Sequence, residues 1–225
     1  MSFLTFRRYY LDEVLNKCNF QGKVLDLGGN KRNKRGKFRP PNNLVEKWSY
    51  LNIDPSTFPD YCCSAEKIPV EDNYFDVVLI AEVLEHLERP LTVLKECHRV
   101  LKNNGGNIII TVPFLYMVHA HPKDYQRWTP DGIYRDMHDA GFMIQEIQAM
   151  GGFFAVLYDL LRGGVGYTSK KKNALKNRIF LKYLMPCFVD LFLKLDKKYE
   201  YKSRWITTGY CITGCKNLST QTNEV

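Results

Sequence analysis

Apolar positions in this chain fall into short dense runs separated by stretches of helical period. Phe75–Ala81 (FDVVLIA) and Asn107–Val112 (NIIITV) are apolar runs rich in β-branched residues, Lys23–Gly28 (KVLDLG) is a short apolar run, and all are too short for helices. They predict strands buried on both faces. Trp48–Asp54 (WSYLNID) predicts another, and Tyr61–Ser64 a short one. Pro90 to Leu101 has helical period, with Leu91, Leu94, Cys97, His98 and Leu101 on one face. Pro130 to Ala140 predicts a helix that Thr129 caps, with proline at the next position and Gly141 at its end. A helix is expected over residues 3–18, a strand over Phe142–Gln148 and a last strand around Trp205–Lys216. Gly36, Pro40 and Pro41 make a loop of Asn30 to Asn43. Strands alternating with helices predict an α/β domain with a mostly parallel sheet, which binds its ligands at the carboxyl ends of the strands.

Composition excludes several classes. The 225 residues are 45% hydrophobic and 25% charged, as in an ordinary globular domain. No run of about 18 uncharged apolar residues predicts a spanning helix. The N-terminal segment lacks the apolar region of a signal peptide. Seven cysteines, an odd number, fit a reduced cytoplasmic setting. The net charge of +8 is concentrated. Thr168 to Arg204 holds eleven Lys/Arg against three Asp/Glu, and Lys31 to Arg39 holds six basic residues and no acid. Such patches point to phosphate, nucleic acid, a membrane surface or a plain solvated face.

The strand ends carry the candidate chemistry. The first strand finishes Asp26-Leu27-Gly28-Gly29, where glycine lets backbone approach a ligand. The second finishes at Asp54, which can accept both hydroxyls of a ribose or close an Asx turn with Pro55. Together they suggest a nucleoside-like ligand. From Gly28 the frame reads Gly-Gly-Asn-Lys-Arg-Asn, so the dinucleotide fingerprint is missing and a nicotinamide enzyme is disfavoured.

Val24–Gly29 resembles motif I of class I S-adenosylmethionine-dependent methyltransferases. Ser64–Pro69 with Phe75–Val78, Glu82–Leu87 and Leu101–Ile110 are similar to later motifs of that family, in the same order. The resemblance covers roughly residues 20–150. It implies a Rossmann-like fold, with a mostly parallel seven-stranded sheet, an antiparallel last strand and helices on both faces. It implies S-adenosylmethionine as cofactor, held by Asp26, Leu27, Gly28, Gly29, Asp54, Pro55, Ser64, Ala65, Ile80 and Ala81. Asn30 and Arg32 stand at later glycine places of the motif, and Ser64 where the family has an acid. The chain then divides into an N-terminal helix (1–20), a cofactor-binding core (21–150), a helical insert (151–204) and the last strand (205–216), all in one domain.

The acceptor side is expected after the fifth strand. Phe114 to Arg127 gathers His119, His121, Asp124, Tyr125 and Arg127. Its H-x-x-P-x-D-Y-x-R spacing looks like a methyltransferase subgroup associated with polysaccharide and glycolipid assembly. A histidine suits proton removal near neutral pH, so His119 and then His121 are the candidate bases. Asp124 is the orienter or alternative base. Tyr125 and Arg127 would hold the acceptor, Arg127 through a carboxylate or phosphate. His86 reads as structural. No metal site is assigned: His119-x-His121 with Asp124 is a spacing common by chance, and Cys211-x₃-Cys215 lacks a second ligand pair.

The leading function is O-methylation of a saccharide or lipid-linked saccharide. An RNA methyltransferase and a catalytically silent cofactor-binding scaffold are the alternatives. Nucleic acid is disfavoured as a partner, because the basic knot at 31–39 lacks interleaved aromatics beyond Phe38. Arg178, Lys182, Pro186, Asp190, Lys194 and Lys198 recur every fourth residue, a narrow stripe on an otherwise apolar helix. That helix, 178–198, is expected either to be buried against the domain, to form a homodimer, or to lie on the inner membrane face.

Overall fold

The computed structural model describes residues 5–32, 36–41, 43–119, 123–168, 183–199 and 206–216. Helix α1 (Phe6–Lys17) leads into β1 (Gly22–Leu27), β2 (Val45–Asn52) and β3 (Tyr61–Cys62). Then come β4 (Val77–Ala81), α2 (Pro90–Val100), β5 (Asn107–Pro113), α3 (Pro130–Asp139) and β6 (Phe142–Ala149). Helix α4 (Phe153–Thr168), a single turn α5 (Met185–Cys187), α6 (Val189–Tyr199) and β7 (Gly209–Lys216) complete the described chain.

The seven strands form one sheet in the order β3-β2-β1-β4-β5-β7-β6. Strand β7 runs antiparallel to both its neighbours, and the remaining pairs are parallel. The expected architecture is therefore observed. Strand side chains alternate between two cores. Val78, Ile80, Ile108 and Ile110 pack with Leu94, Cys97 and Ile133 from α2 and α3. Val77, Leu79 and Ile109 pack with Phe6, Leu11, Tyr158 and Val189 from α1, α4 and α6. Burial on both faces explains why these strands are continuous apolar runs.

Register aligns the carboxyl ends. Leu27 pairs with Leu51 on one side and Ile80 on the other, and Ala81 pairs with Thr111. The segments leaving β1, β2, β4 and β5 thus meet on one edge. Thr129 caps α3 as expected, its hydroxyl accepting from the Gly132 amide at 3.2 Å. On α6 and the turn before it, Met185, Val189 and Asp196 are buried against the domain. Pro186, Asp190, Lys194 and Lys198, part of the expected stripe, are exposed. Arg178 and Lys182 lie outside the described residues.

Candidate active site

The glycine turn leaves β1 in a conformation that other residues resist. Gly28 has φ +76°, and a Cβ there would lie 2.4 Å from Val83 Cγ2. A Cβ on Gly29 would lie 2.5 Å from Asp26 Cγ. Both positions bring bare backbone to the sheet edge. The Asn52 side-chain amide donates to the carbonyls of Gly28 and Gly29, at 3.1 and 3.2 Å, and its Oδ1 accepts from the Asp54 amide at 3.0 Å. One side chain thus ties the ends of β1 and β2 together. Asp54 Oδ1 accepts from the Ser56 amide at 2.9 Å, and the Ser56 hydroxyl and amide together hold its carboxyl below the usual carboxylate range. The Asx turn and a place on the ligand cleft are therefore both true of Asp54.

A cleft of about 990 Å³ opens over this edge. Asp26, Leu27, Gly28, Gly29, Asp54, Ser64, Ala65 and Ala81 line it, as do Asn30, Asn52 and Ile53. Ile53 is 76% exposed, an apolar surface beside the glycine turn. Ser64 Oγ accepts from the Glu66 amide at 3.2 Å. Two expected cofactor residues are not in this lining. Ile80 is fully buried in the core, because its side chain points away from the edge, and Pro55 opens the turn Pro55–Thr57 on the surface.

The other end of the cleft is built from β4, β5 and α1. Glu82, just past β4, has φ 58° and donates its amide to Thr111 O at 3.0 Å. A non-glycine residue held there is strained, as residues at functional sites often are. Its carboxylate pairs with Arg7, whose guanidinium also lies 4.1 Å from the centre of the Tyr116 ring. Burial pushes the Arg7 pKa down. Arg7 is placed by α1, whose first amides, Phe6 and Arg7, donate to Asp159 at 2.8 and 2.9 Å.

The segment after β5 folds back over the turn Leu84–His86. The Tyr125 amide donates to the Glu85 carbonyl at 2.9 Å, and the His86 ring nitrogen Nδ1 meets the Lys123 carbonyl at 2.5 Å. Asp124 accepts from the His119 amide at 2.9 Å, and its Oδ2 lies 3.2 Å from His119 Nδ1. Arg127 grips both oxygens of Asp124, one bond at 2.7 Å, and holds its carboxyl far below the usual range. Asp124 is thus placed as an orienter of His119; a carboxylate this stabilised is a poor proton acceptor. Arg127, expected to hold the acceptor, is committed to Asp124 and to the carbonyls of Gln126 and Met117. Tyr125 is exposed. His121 lies outside the described residues.

Among the lining groups that sequence reasoning passes over are Arg7, Asn52, Glu82, His86 and Tyr116. His86, read as structural, faces the cleft because its turn is one residue triplet rather than a helix. Glu82 and His86 had a signal, since both stand in the run after the fourth strand. Tyr116 had none.

Residues 42–109 match the family model of a methyltransferase domain. The match begins beyond the glycine turn. Over 126 residues the chain is 30% identical to the ubiquinone/menaquinone biosynthesis C-methyltransferase UbiE of Burkholderia multivorans, covering 48% of this chain and 51% of that protein. The chain thus spans about half the length of the curated relatives it matches. A SAM-dependent methyltransferase from Archaeoglobus fulgidus superposes with a TM-score of 0.55 at 16% identity, over 93% of this chain and 92% of that one. Phosphoethanolamine N-methyltransferase 2 of Haemonchus contortus, in complex with S-adenosyl-L-methionine, gives 0.50 at 13% identity, over 96% and 54%. The fold is that of class I methyltransferases. The family model and the curated relatives that match are those of methyltransferases.

Proposed function

We propose that this chain transfers the methyl group of S-adenosylmethionine to a hydroxyl of a saccharide or lipid-linked saccharide. The observation that carries this reading is that the glycine turn, Asp54 and His119 share one cleft. The residues suit the cofactor. Gly28 and Gly29 bring backbone to the cleft where Val83 and Asp26 leave no room for a Cβ, Asp54 offers a carboxylate for the ribose, and Ser64 a hydroxyl on the same lining. Glu82 and Asp26 put carboxylates near a cationic ligand. Bound there, S-adenosylmethionine supplies an electrophilic methyl carbon on a sulfonium. The chain contributes alignment and, for a hydroxyl acceptor, a means of removing a proton. His119 suits that role: Asp124 and the Met117 carbonyl sit at Nδ1, which leaves Nε2 as the basic nitrogen.

The likeness to UbiE supports a second reading, transfer to a carbon of a ring acceptor. Labelled-methyl assays against saccharide, lipid-linked saccharide, quinol-precursor and RNA pools separate these readings. Label in a saccharide pool that alkaline treatment does not release as from an ester supports the first; label only in the ring acceptor or RNA overturns it. S-adenosylhomocysteine should raise the melting temperature and NAD should not. Asp54→Ala should weaken S-adenosylhomocysteine binding on the order of tenfold or more. His119→Ala should keep that binding and lose about 10²-fold in turnover. Unchanged binding by the first variant removes Asp54 from the ribose, and normal turnover by the second removes His119 from the chemistry.

The proposal includes peripheral contact with the inner membrane face through 178–198, where a lipid-linked acceptor is met. The exposed apolar side chains Leu184, Phe188 and Leu191 support it. No helix among the described residues is long and apolar enough to cross a membrane.

A further inference from the structure

At the acceptor end of the cleft three ligand-type side chains, Glu85, His86 and His119, converge. Glu85, on the turn Leu84–His86, has a side chain 0% exposed, and neither carboxylate oxygen has a hydrogen-bond partner among the described residues. An unpaired carboxylate is costly to bury. Its nearest guanidinium, Arg7 at 3.9 Å, is already engaged by Glu82, so two carboxylates share one cation.

The histidines complete the arrangement. His86 Nε2 and His119 Nε2 each lie 3.6 Å from Glu85 Oε1, and one ligand atom from each of the three residues falls within 4.8 Å of the others. The second nitrogen of each ring faces acceptors. His86 Nδ1 is 2.5 Å from the Lys123 carbonyl; His119 Nδ1 is 3.2 Å from the Met117 carbonyl and 3.2 Å from Asp124 Oδ2. A carbonyl or an ionised carboxylate only accepts, so Nδ1 carries a proton in both rings, and Nε2 of each faces the Glu85 carboxylate. Metal-bound histidines are oriented in this way, with the far N–H given to a carbonyl or carboxylate.

We propose that Glu85, His86 and His119 bind one divalent first-row transition ion, whose open coordination positions take an oxygen of the acceptor. Two imidazoles and one carboxylate favour ions such as Mn²⁺, Fe²⁺, Co²⁺ or Zn²⁺ over Mg²⁺ and Ca²⁺. Bonds of about 2.0–2.2 Å place the ligand atoms of one ion roughly 3–3.5 Å apart. The two 3.6 Å separations from Glu85 need only a small contraction, and the two imidazoles, within 4.8 Å of each other, a larger one. His86 and His119, 15% and 30% exposed, border the same cleft as Gly28. The ion occupies the lone pair that the proposed function gives to a base. It would then be the ion, rather than the ring, that makes an acceptor hydroxyl more acidic. The inference deepens the methyltransferase reading but is tested by binding alone. Short spacing rules miss the site because His119 is 33 residues from His86.

The experiment uses the full chain, stripped with EDTA and titrated calorimetrically with Mn²⁺ and, separately, Co²⁺. One ion per chain is expected. Glu85→Gln and His119→Ala should each weaken binding by about tenfold or more, with circular dichroism unchanged. No binding, or equal binding by both variants, overturns the site. If a variant does not fold, the wild-type Co²⁺ absorption decides: nitrogen and oxygen ligands give no thiolate charge-transfer band, and such a band would assign the ion to cysteines and overturn the proposal. S-adenosylhomocysteine binding is measured in parallel; its loss with metal binding intact counts against the methyltransferase reading, not against the ion site.

Discussion

Gly28 shows how one residue couples local conformation to the site. Its φ of +76° is open to glycine and strained for alanine, and Val83 Cγ2 fills the place of a Cβ. Gly28→Ala should therefore cost at least about 1 kcal/mol in equilibrium unfolding and abolish the thermal shift produced by S-adenosylhomocysteine. An unaltered shift would mean that backbone at this turn does not approach the cofactor. The pair Gly28-Gly29 and Asp54 are legible in the chain because each ends a strand, and a strand end is a local feature. Asn52 is not legible, although it joins the two ends. Its amide reaches carbonyls 23 and 24 residues away, and no pattern along the chain marks that pairing. Arg127 illustrates the converse: its identity suggested an anion on the acceptor, but the nearest carboxylate is three residues back, on Asp124.

At the scale of elements, helices cap one another through buried acids. Asp159 on α4 accepts the first amides of α1, and Asp196 on α6 accepts the Gly152 and Ala155 amides at the start of α4, each at 2.9 Å. Asp196 also accepts the Tyr10 hydroxyl at 2.7 Å. A helix start leaves amides without intrahelical partners, and a buried one must find acceptors elsewhere. Asp196→Ala strands three donors and should destabilise the domain by about 2–4 kcal/mol in urea titrations; a loss within experimental error would mean that water replaces the carboxylate. Burial pushes the Asp159 pKa up from 3.8 to about 6, outweighing the two amide bonds that lower it. Between those values the folded chain binds this proton more readily than the unfolded chain. Asp159's contribution to stability therefore falls as pH rises from about 4 to about 6 and is level above that. The stability difference between wild type and Asp159→Asn should decline across that window. A difference constant from pH 4 to pH 6.5 would show Asp159 ionised throughout.

On the scale of the whole molecule, the sheet separates two cores, and α4 with α6 covers the side that carries α1. Packing there consumes one face of α6, through Met185 on the turn before it, Val189 and Asp196. It leaves Leu184, Phe188 and Leu191, with Leu160 and Leu161 of α4, exposed by 41–51%. The buried alternative for 178–198 thus accounts for one face, and the other keeps the apolar surface that a membrane interface requires. Flotation with anionic liposomes should be seen at low salt and lost at high salt, since each Lys or Arg near such a surface contributes on the order of 1 kcal/mol. Phe188→Glu with Leu191→Glu should abolish it. No flotation at low salt, or none of this sensitivity, removes the membrane from the proposal.

The chain's own pattern determined the α/β class, the strands and helices to within a few residues, the glycine turn and the acid after β2. These depend on which neighbours along the chain are apolar, branched or permissive, and backbone hydrogen bonding turns that into regular elements. Tertiary structure decided the rest: Ile80 in the core rather than the cleft, His86 beside His119, and Arg127 spent on Asp124. It also decided that Asp196, within an apolar helix, anchors α4. A buried polar group takes its character from the partners that folding brings to it. For Glu85 and for Asp159, those partners come from segments far away in the chain.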